Sequence, residues 1–452
     1  MTAPSTTPAA LPKTLSWPHL LALGVGSIVG TGILTLIGVG ADRAGPAVLL
    51  SFAIAGAICA CAALAYAELS TMMPRAGSAY SYSHTVLGST VGWIVGWSLI
   101  LEYSLVVSTV AVGWSGYAAP LLQGLGFPKA LTQGPELGGL VNLPAVFIIA
   151  VVAGLLAFGT RESARINTVL VVIKILTLSL FVAVALPAFD ASNLSPFMPF
   201  GFGKSMSPDG VERGVMAAAA IIFFAFYGFD AISTAAEETR NPGRDLVIGI
   251  IGSLAICTLV YVLVAAAAIG AMPFVRFADS PEPLALILRQ MDRGGVAQVV
   301  AIAAVIALPT VLLGFLYGQS RIFLAMARDG FLPASMAKLS ARGTPVRVTT
   351  MTAIIVAILA GILPISEIAA LANAGTLIAF AAVGTCLIVL RKREPDTRRP
   401  FRVPAGIVVG AVTILGCLYL FASLPTKTLI ACLLWNLLGA ALYLVRGRKR
   451  AA

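Results

Sequence analysis

Three ionisable side chains stand deep inside apolar runs: Glu102 in L-I-L-E-Y-S-L, Lys174 in T-V-L-V-V-I-K-I-L-T-L-S-L, and Asp230 in F-Y-G-F-D-A-I. A charge in the middle of such a run costs roughly 3 kcal/mol even on the mildest insertion scale, so each is a candidate functional group. Lys174 has no other charge in its run. Snorkelling would take its ammonium to the end of the run, but Arg165, the nearest charge on the loop side, lies about 14 Å down a helix, beyond a lysine stem. A lysine taken out of water gives up its proton more easily, which makes Lys174 a candidate proton carrier. Asp230 follows Gly228-Phe229, where an aspartate can cap a helix start, sense protons, or do both. Glu102 has no basic neighbour in its own run, so a partner across the bundle or a coupling role fits it. Glu68 and Arg321 sit nearer the ends of their runs. Glu68 reads as a gate or loop contact, and Arg321 as a topology charge or the partner of Glu68.

Other chemistries find little material. His19 and His84 are the two histidines, and they are far apart. Cys59, Cys61, Cys257, Cys386, Cys417 and Cys432 all lie in apolar runs without metal-ligand spacing. No nucleophile, metal set or acid–base pair of an enzyme emerges, and no cofactor is expected.

The elements that must position these residues are membrane helices. The chain has 452 residues, of which 59% are hydrophobic and 11% charged, with a mean hydropathy of +0.96. A soluble domain carries about 25% charge, so an integral membrane protein is expected. Apolar runs give twelve expected spans: 17–40, 46–70, 88–117, 142–160, 163–187, 213–238, 246–270, 294–327, 346–364, 367–391, 405–422 and 427–445. Residues 1–16 read as a short disordered tail without the apolar core of a signal peptide. Placing both termini in the cytoplasm puts most of the 30 lysines and arginines on that side, led by Arg391-Lys392-Arg393, Arg398-Arg399 and the end Arg446 to Arg450. The net charge of +11 is then a topology signal that also meets anionic lipid, and nucleic acid is not needed to explain it.

Two of these spans are unusual. Between Leu23 and Gly40 stand Gly24, Gly26, Gly30, Gly32, Gly38 and Gly40, although an interior glycine costs roughly 1 kcal/mol of helix propensity. Close packing through Gly26-x-x-x-Gly30 is one reading. The other is a break in mid-span at Ser27 to Gly32, tolerated only where it lines a cavity or is buried in protein. Such a break offers N–H groups to an anion and carbonyls to a cation. The run Phe223 to Ala231 repeats the pattern, with Gly228 and Asp230 each 198 residues after Gly30 and Gly32. Breaks in spans one and six imply two five-span repeats, 17–187 and 188–391, of opposite orientation, with 392–452 outside them.

These residues resemble the amino acid–polyamine–organocation superfamily, closest to its cationic amino acid transporter branch and bacterial proton-coupled relatives. The resemblance rests on G-S-I-V-G-T-G-I (26–33), Y-A-E-L (66–69), P-R-A-G-S-A-Y-S-Y (74–82), L-I-L-E-Y (99–103) and R-E-S-A-R-I-N (161–167). It continues through G-F-D-A-I-S-T-A-A-E-E-T-R-N-P (228–242), Y-G-Q-S-R-I-F-L-A-M-A-R-D-G (317–330) and R-R-P-F-R-V-P (398–404). It implies the five-plus-five inverted-repeat fold of the leucine transporter, an all-α membrane protein in the cell membrane with helices 1 and 6 broken. It further implies secondary transport of amino acids, with protons as the coupling partner. A span-five lysine matching Lys174 would replace the sodium ion of related carriers and bond the carbonyls of the span-one break near Gly30. Amides around Gly30, Thr31 and Gly32 would hold the substrate carboxylate, and carbonyls of Ile28, Phe224, Ala225 and Tyr227 its ammonium. Phe224 would be an aromatic gate, with Thr310 and Phe315 further candidates for the side-chain pocket. Glu102 and Asp230 would join Lys174 in proton coupling or gating. With no further acid clearly placed to meet a cationic side chain, neutral amino acids are favoured. An amino acid/amine exchanger of the same superfamily is the alternative, and a nutrient-sensing receptor on this fold is a more distant one.

Overall fold

Apolar runs without water must satisfy their own backbone, and here they do so as helices. The computed structural model describes residues 13–158, 163–337, 340 and 346–451. Most of the expected N-terminal tail and the first two residues of R-E-S-A-R-I-N lie outside the described residues. The first half comprises α1 (Trp17–Ile28), α2 (Thr31–Leu34), α3 (Leu36–Ala44), α4 (Val48–Met72), α5 (Ala79–Leu87), α6 (Ser89–Gly124), α7 (Lys129–Thr132), α8 (Leu143–Phe158) and α9 (Ser163–Ala185). A two-residue antiparallel ribbon, β1 (Ser205–Met206) and β2 (Glu212–Arg213), leads into the second half. There follow α10 (Val215–Ile222), α11 (Phe229–Thr234), α12 (Pro242–Ala271), α13 (Pro283–Gln290), α14 (Gly294–Ala307), α15 (Pro309–Arg328), α16 (Val346–Ile362), α17 (Ile365–Arg393), α18 (Gly406–Ala422) and α19 (Thr426–Ala451).

Among the described residues, nine helical segments are long and apolar enough to cross a membrane, and Leu143–Ala157, Val346–Ile362 and Gly406–Ala422 are shorter apolar helices. Four details differ from the sequence reading. The run 17–40 is divided not only between α1 and α2 but again at Thr35 between α2 and α3, and 294–327 is two helices that meet at Leu308, with Pro309 opening the second. A proline is at home there, because the first N–H of a helix has no partner to lose. The third span runs on through Pro120 to Gly124. A short helix, α5, also stands between α4 and α6.

Burial places the elements. Every residue of α10 and α11 is buried, whereas α19 exposes Leu433, Leu434 and Leu437 to more than half of their surface. Segments one and six therefore form the centre, and α19 lies outside with apolar side chains turned outward. It is fixed to α6 by stacked indoles, with Trp97 4.5 Å from Trp435 between ring centres and each indole N–H on the other residue's carbonyl.

At one end of the bundle a buried carboxylate ties three helices together. Glu68, 1% exposed at the end of α4, accepts from Arg391 Nε (2.9 Å) and Nη2 (2.5 Å) on α17, from Arg399 Nε (3.0 Å), and from the N–H of Val403 (2.7 Å) ahead of α18. Glu68 is thus a loop contact. Arg321 pairs instead with Glu238 at 3.2 Å. Removing one partner of a buried ion pair costs roughly 3–5 kcal/mol. The Glu68→Ala protein is accordingly expected to unfold at a clearly lower temperature in a detergent melt; a melt like that of the wild type would remove this role.

Candidate substrate site

The first break begins where α1 ends at Ile28. Val29 is extended (φ −73°, ψ 102°), Gly30 takes φ −155°, ψ −147°, and the helix resumes at Thr31. The end of a helix leaves carbonyls without intrahelical donors, and in a dry interior each needs another. Lys174 Nζ donates to the carbonyls of Gly26 (2.9 Å) and Val29 (2.7 Å), reaching across from α9 with 3% of its surface exposed. The Tyr261 hydroxyl of α12 donates to the Ile28 carbonyl at 2.7 Å. Thr310, at the start of α15, gives its main bond to Ala307 and only a long one, 3.5 Å, to Gly26.

The second break begins where α10 ends at Ile222. A 3-10 turn covers Phe223 to Ala225, and Gly228 (φ +119°, ψ −19°) precedes α11. That φ is open to glycine and strained for other residues. Asp230 lies inside α11 rather than ahead of it, and its side chain does not cap the helix. Instead Oδ1 accepts the N–H of Gly228 (2.9 Å) and Oδ2 the hydroxyl of Tyr103 (2.7 Å), so the aspartate pins the turn it follows. Glu102, the neighbour of Tyr103 and fully buried, has no hydrogen-bond partner on either carboxylate oxygen among the described residues.

The two breaks touch through their backbones. A Cβ on Gly32 would lie 2.4 Å from the Cα of Ala225, and one on Gly228 would lie 2.9 Å from the carbonyl carbon of Ser27. Any larger residue at either place forces the segments apart.

Beside this contact lies a small pocket with room for about one water molecule. Of the residues named from the sequence, Ile28, Gly30, Thr31, Gly32, Phe224 and Tyr227 line it, and Phe315 closes one side. Ala225 lies behind, against Gly32. Lys174, Glu102, Asp230 and Thr310 are outside the lining. The remaining walls are Val106 and Val110 from α6 and Val311 from α15, together with Ser27. Three hydroxyls at the cavity, those of Ser27, Thr31 and Tyr227, are buried and have no hydrogen-bond partner among the described residues. The site thus combines unsatisfied polar groups at the breaks with an apolar wall opposite. That arrangement suits a small molecule with a charged head and an apolar body.

Sequence reasoning missed the valines because a valine in an apolar span carries no signal of which way it faces. Tyr261 and Tyr103 were missed for a related reason: a tyrosine hydroxyl finds its carbonyl or carboxylate only through tertiary packing.

The amino acid permease family profile matches residues 15–441. The chain is 43% identical over 449 residues to a branched-chain amino acid permease of Bacillus subtilis (strain 168), covering 98% of this chain and 94% of that protein. It is 40% identical over 448 residues to a methylthioribose transporter of the same organism, covering 98% and 95%. A vacuolar cationic amino acid transporter of Arabidopsis thaliana is 39% identical over 393 residues, covering 85% of this chain and 61% of that protein. These relatives are carriers, and the chain is not an enzyme but a multi-pass membrane protein. With the match running almost from end to end, the chain belongs to the amino acid permease family.

Proposed function

We propose that the protein is a secondary active transporter that imports neutral, apolar amino acids across the cell membrane, driven by protons and independent of sodium. The observation that carries this reading is the composition of the cavity. Backbone breaks with orphaned hydroxyls stand on one side and Val106, Val110, Val311 and Phe315 on the other, and no acid is among the lining residues described. A zwitterion needs donors for its carboxylate and acceptors for its ammonium within a few ångströms of each other. The amides of Gly30, Thr31 and Gly32 serve the first, and the carbonyls of Ile28, Phe224, Ala225 and Tyr227 the second. The Ile28 carbonyl already accepts from Tyr261, and its second lone pair is left for the ammonium. An aliphatic side chain then meets the valines, whereas a cationic one would be desolvated without a partner.

In this reading the chain crosses the membrane twelve times, with spans one to five and six to ten as inverted repeats around the two breaks. Both termini are cytoplasmic, following the basic loops. Lys174 stands where related carriers hold a cation, and its two bonds to the carbonyls of α1 are the tie that protonation makes and deprotonation loosens. Asp230 and Glu102 are the acidic partners in that coupling. The name of the branched-chain permease agrees with a neutral, aliphatic substrate.

Uptake into proteoliposomes tests this. L-leucine, L-isoleucine and L-valine are expected to accumulate when the outside is acidic, equally well in sodium or choline buffer, with L-arginine and L-lysine as weak competitors. Preference for arginine, a sodium requirement, or absence of uptake for every aliphatic amino acid would overturn the reading.

A further inference from the structure

We propose that Asn373, in the middle of α17, is a positioning residue for transport that sets where the sixth segment leaves the helix; this rests on the substrate site proposed above. Asn373 sits in A-L-A-N-A-G-T and is fully buried. Its side-chain Nδ2 donates to the carbonyls of Ala220 (2.7 Å) and Ile221 (3.0 Å), both in the last turn of α10. The opposite amide orientation would set Oδ1 against two carbonyl oxygens, so the assignment follows from the neighbours. The cost is visible: Oδ1 has no partner among the described residues. A side chain present only to fill space would be apolar and would avoid burying that orphan. The two donated bonds are what the asparagine supplies.

Their position gives them a purpose. Immediately after Ile222 the backbone tightens into the 3-10 turn of Phe223 to Ala225, and Phe224 and Tyr227 beyond it line the cavity. A donor on the last carbonyls of α10 competes with continuation of the helix, which would draw in the N–H groups of the turn and turn Phe224 away. The post that makes this grip is itself held. A Cβ on Gly375 would lie 2.7 Å from the Ser98 carbonyl of α6, so the α17 backbone is seated against that helix. Phe380, two turns on, meets Phe223 edge to face at 5.7 Å. The tenth segment therefore holds the sixth from behind, on the side away from the substrate.

The test uses the full-length protein in proteoliposomes with L-leucine, comparing wild type with Asn373→Ala, which leaves room for a water, and Asn373→Leu, which fills the space without donors. Loss of the two bonds is expected to raise KM for leucine roughly tenfold in the alanine variant and further in the leucine variant. The maximal rate per folded molecule should stay within about threefold of the wild type. The second readout is inhibition by 4-methylpentanoate, which is leucine without its amine. The advantage of leucine over this acid as a competitor should shrink with the rise in KM, because the displaced carbonyls act on the ammonium alone. Should the leucine variant fail to fold, the alanine variant decides. An alanine variant with KM and competitor ratio within about twofold of the wild type, and only a lower melting temperature, would overturn this role and leave the substrate site standing. A wild type that takes up no leucine would remove both.

Discussion

Replacing Lys174 with alanine is expected to reduce proton-driven uptake of leucine to background while leaving a protein that can still be purified and folded. The ammonium is the one donor that reaches both the Gly26 and Val29 carbonyls in the described structure. Without it the Val29 carbonyl loses its donor and the Gly26 carbonyl keeps only the long bond from Thr310, at roughly 1–3 kcal/mol for a carbonyl left unpaired in a dry interior. Tyr261 still holds Ile28, so the end of α1 is loosened rather than released. The larger effect falls on coupling, because no other group at the first break carries a titratable cation in the described structure. Uptake measured with an imposed proton gradient, with sodium present and absent, checks this. Transport that survives Lys174→Ala and depends on sodium would remove the proposed role of the lysine.

Gly228→Ala is expected to have a comparable effect by a different route. The residue has φ +119°, where a side chain costs roughly 1–3 kcal/mol in strain. Its Cβ would also press on the backbone of Ser27, at 2.9 Å from the carbonyl carbon and 3.0 Å from the oxygen. Backbone cannot rotate out of the way as a flexible side chain can, so the contact between the two breaks must open. The cavity wall residues on both sides then separate. A displacement near 1 Å in a positioned site costs on the order of a hundredfold in rate, and uptake should fall by about that factor. Gly88→Ala makes a matched comparison. Gly88 also has positive φ, at +92°, but nothing lies within 4 Å of its would-be Cβ. Its alanine variant is expected to pay the strain in stability and keep most of the transport. Equal losses in the two variants would show that backbone strain, and not the meeting of the breaks, matters at Gly228.

The family and the helical membrane character were legible in the sequence for simple reasons. Runs of apolar residues long enough to cross a bilayer have few other uses, and eight motifs in order are specific. Glycines at unusual density in segment one, the glycine–aspartate pair Gly228 and Asp230 in segment six, and a lysine too far from any loop to snorkel pointed to the region where the cavity lies. The cavity itself was less legible. Val106, Val110 and Val311 look like every other valine in their spans, and only the rotation of α6 and α15 turns them inward. The partners of the charged residues were hidden for the same reason. Glu68 meets Arg391 and Arg399 across more than 300 positions of sequence, and Asp230 meets Tyr103 across 127. Asn373 is a single amide in an apolar run, readable as a packing oddity until the carbonyls of Ala220 and Ile221 are seen beside it. Helix starts and stops followed local chemistry, as at Pro309. Thr35, where α2 gives way to α3, has no such marker.

The most direct measurement is a structure of the protein determined with L-leucine bound. The ammonium should lie at the carbonyls of the sixth-segment turn around Phe224 to Tyr227, the carboxylate at the amides of Gly30 to Gly32, and the isobutyl group against Val106, Val110 and Val311. Leucine bound elsewhere, or first and sixth segments running as unbroken helices past an empty cavity, would contradict the proposed transport site.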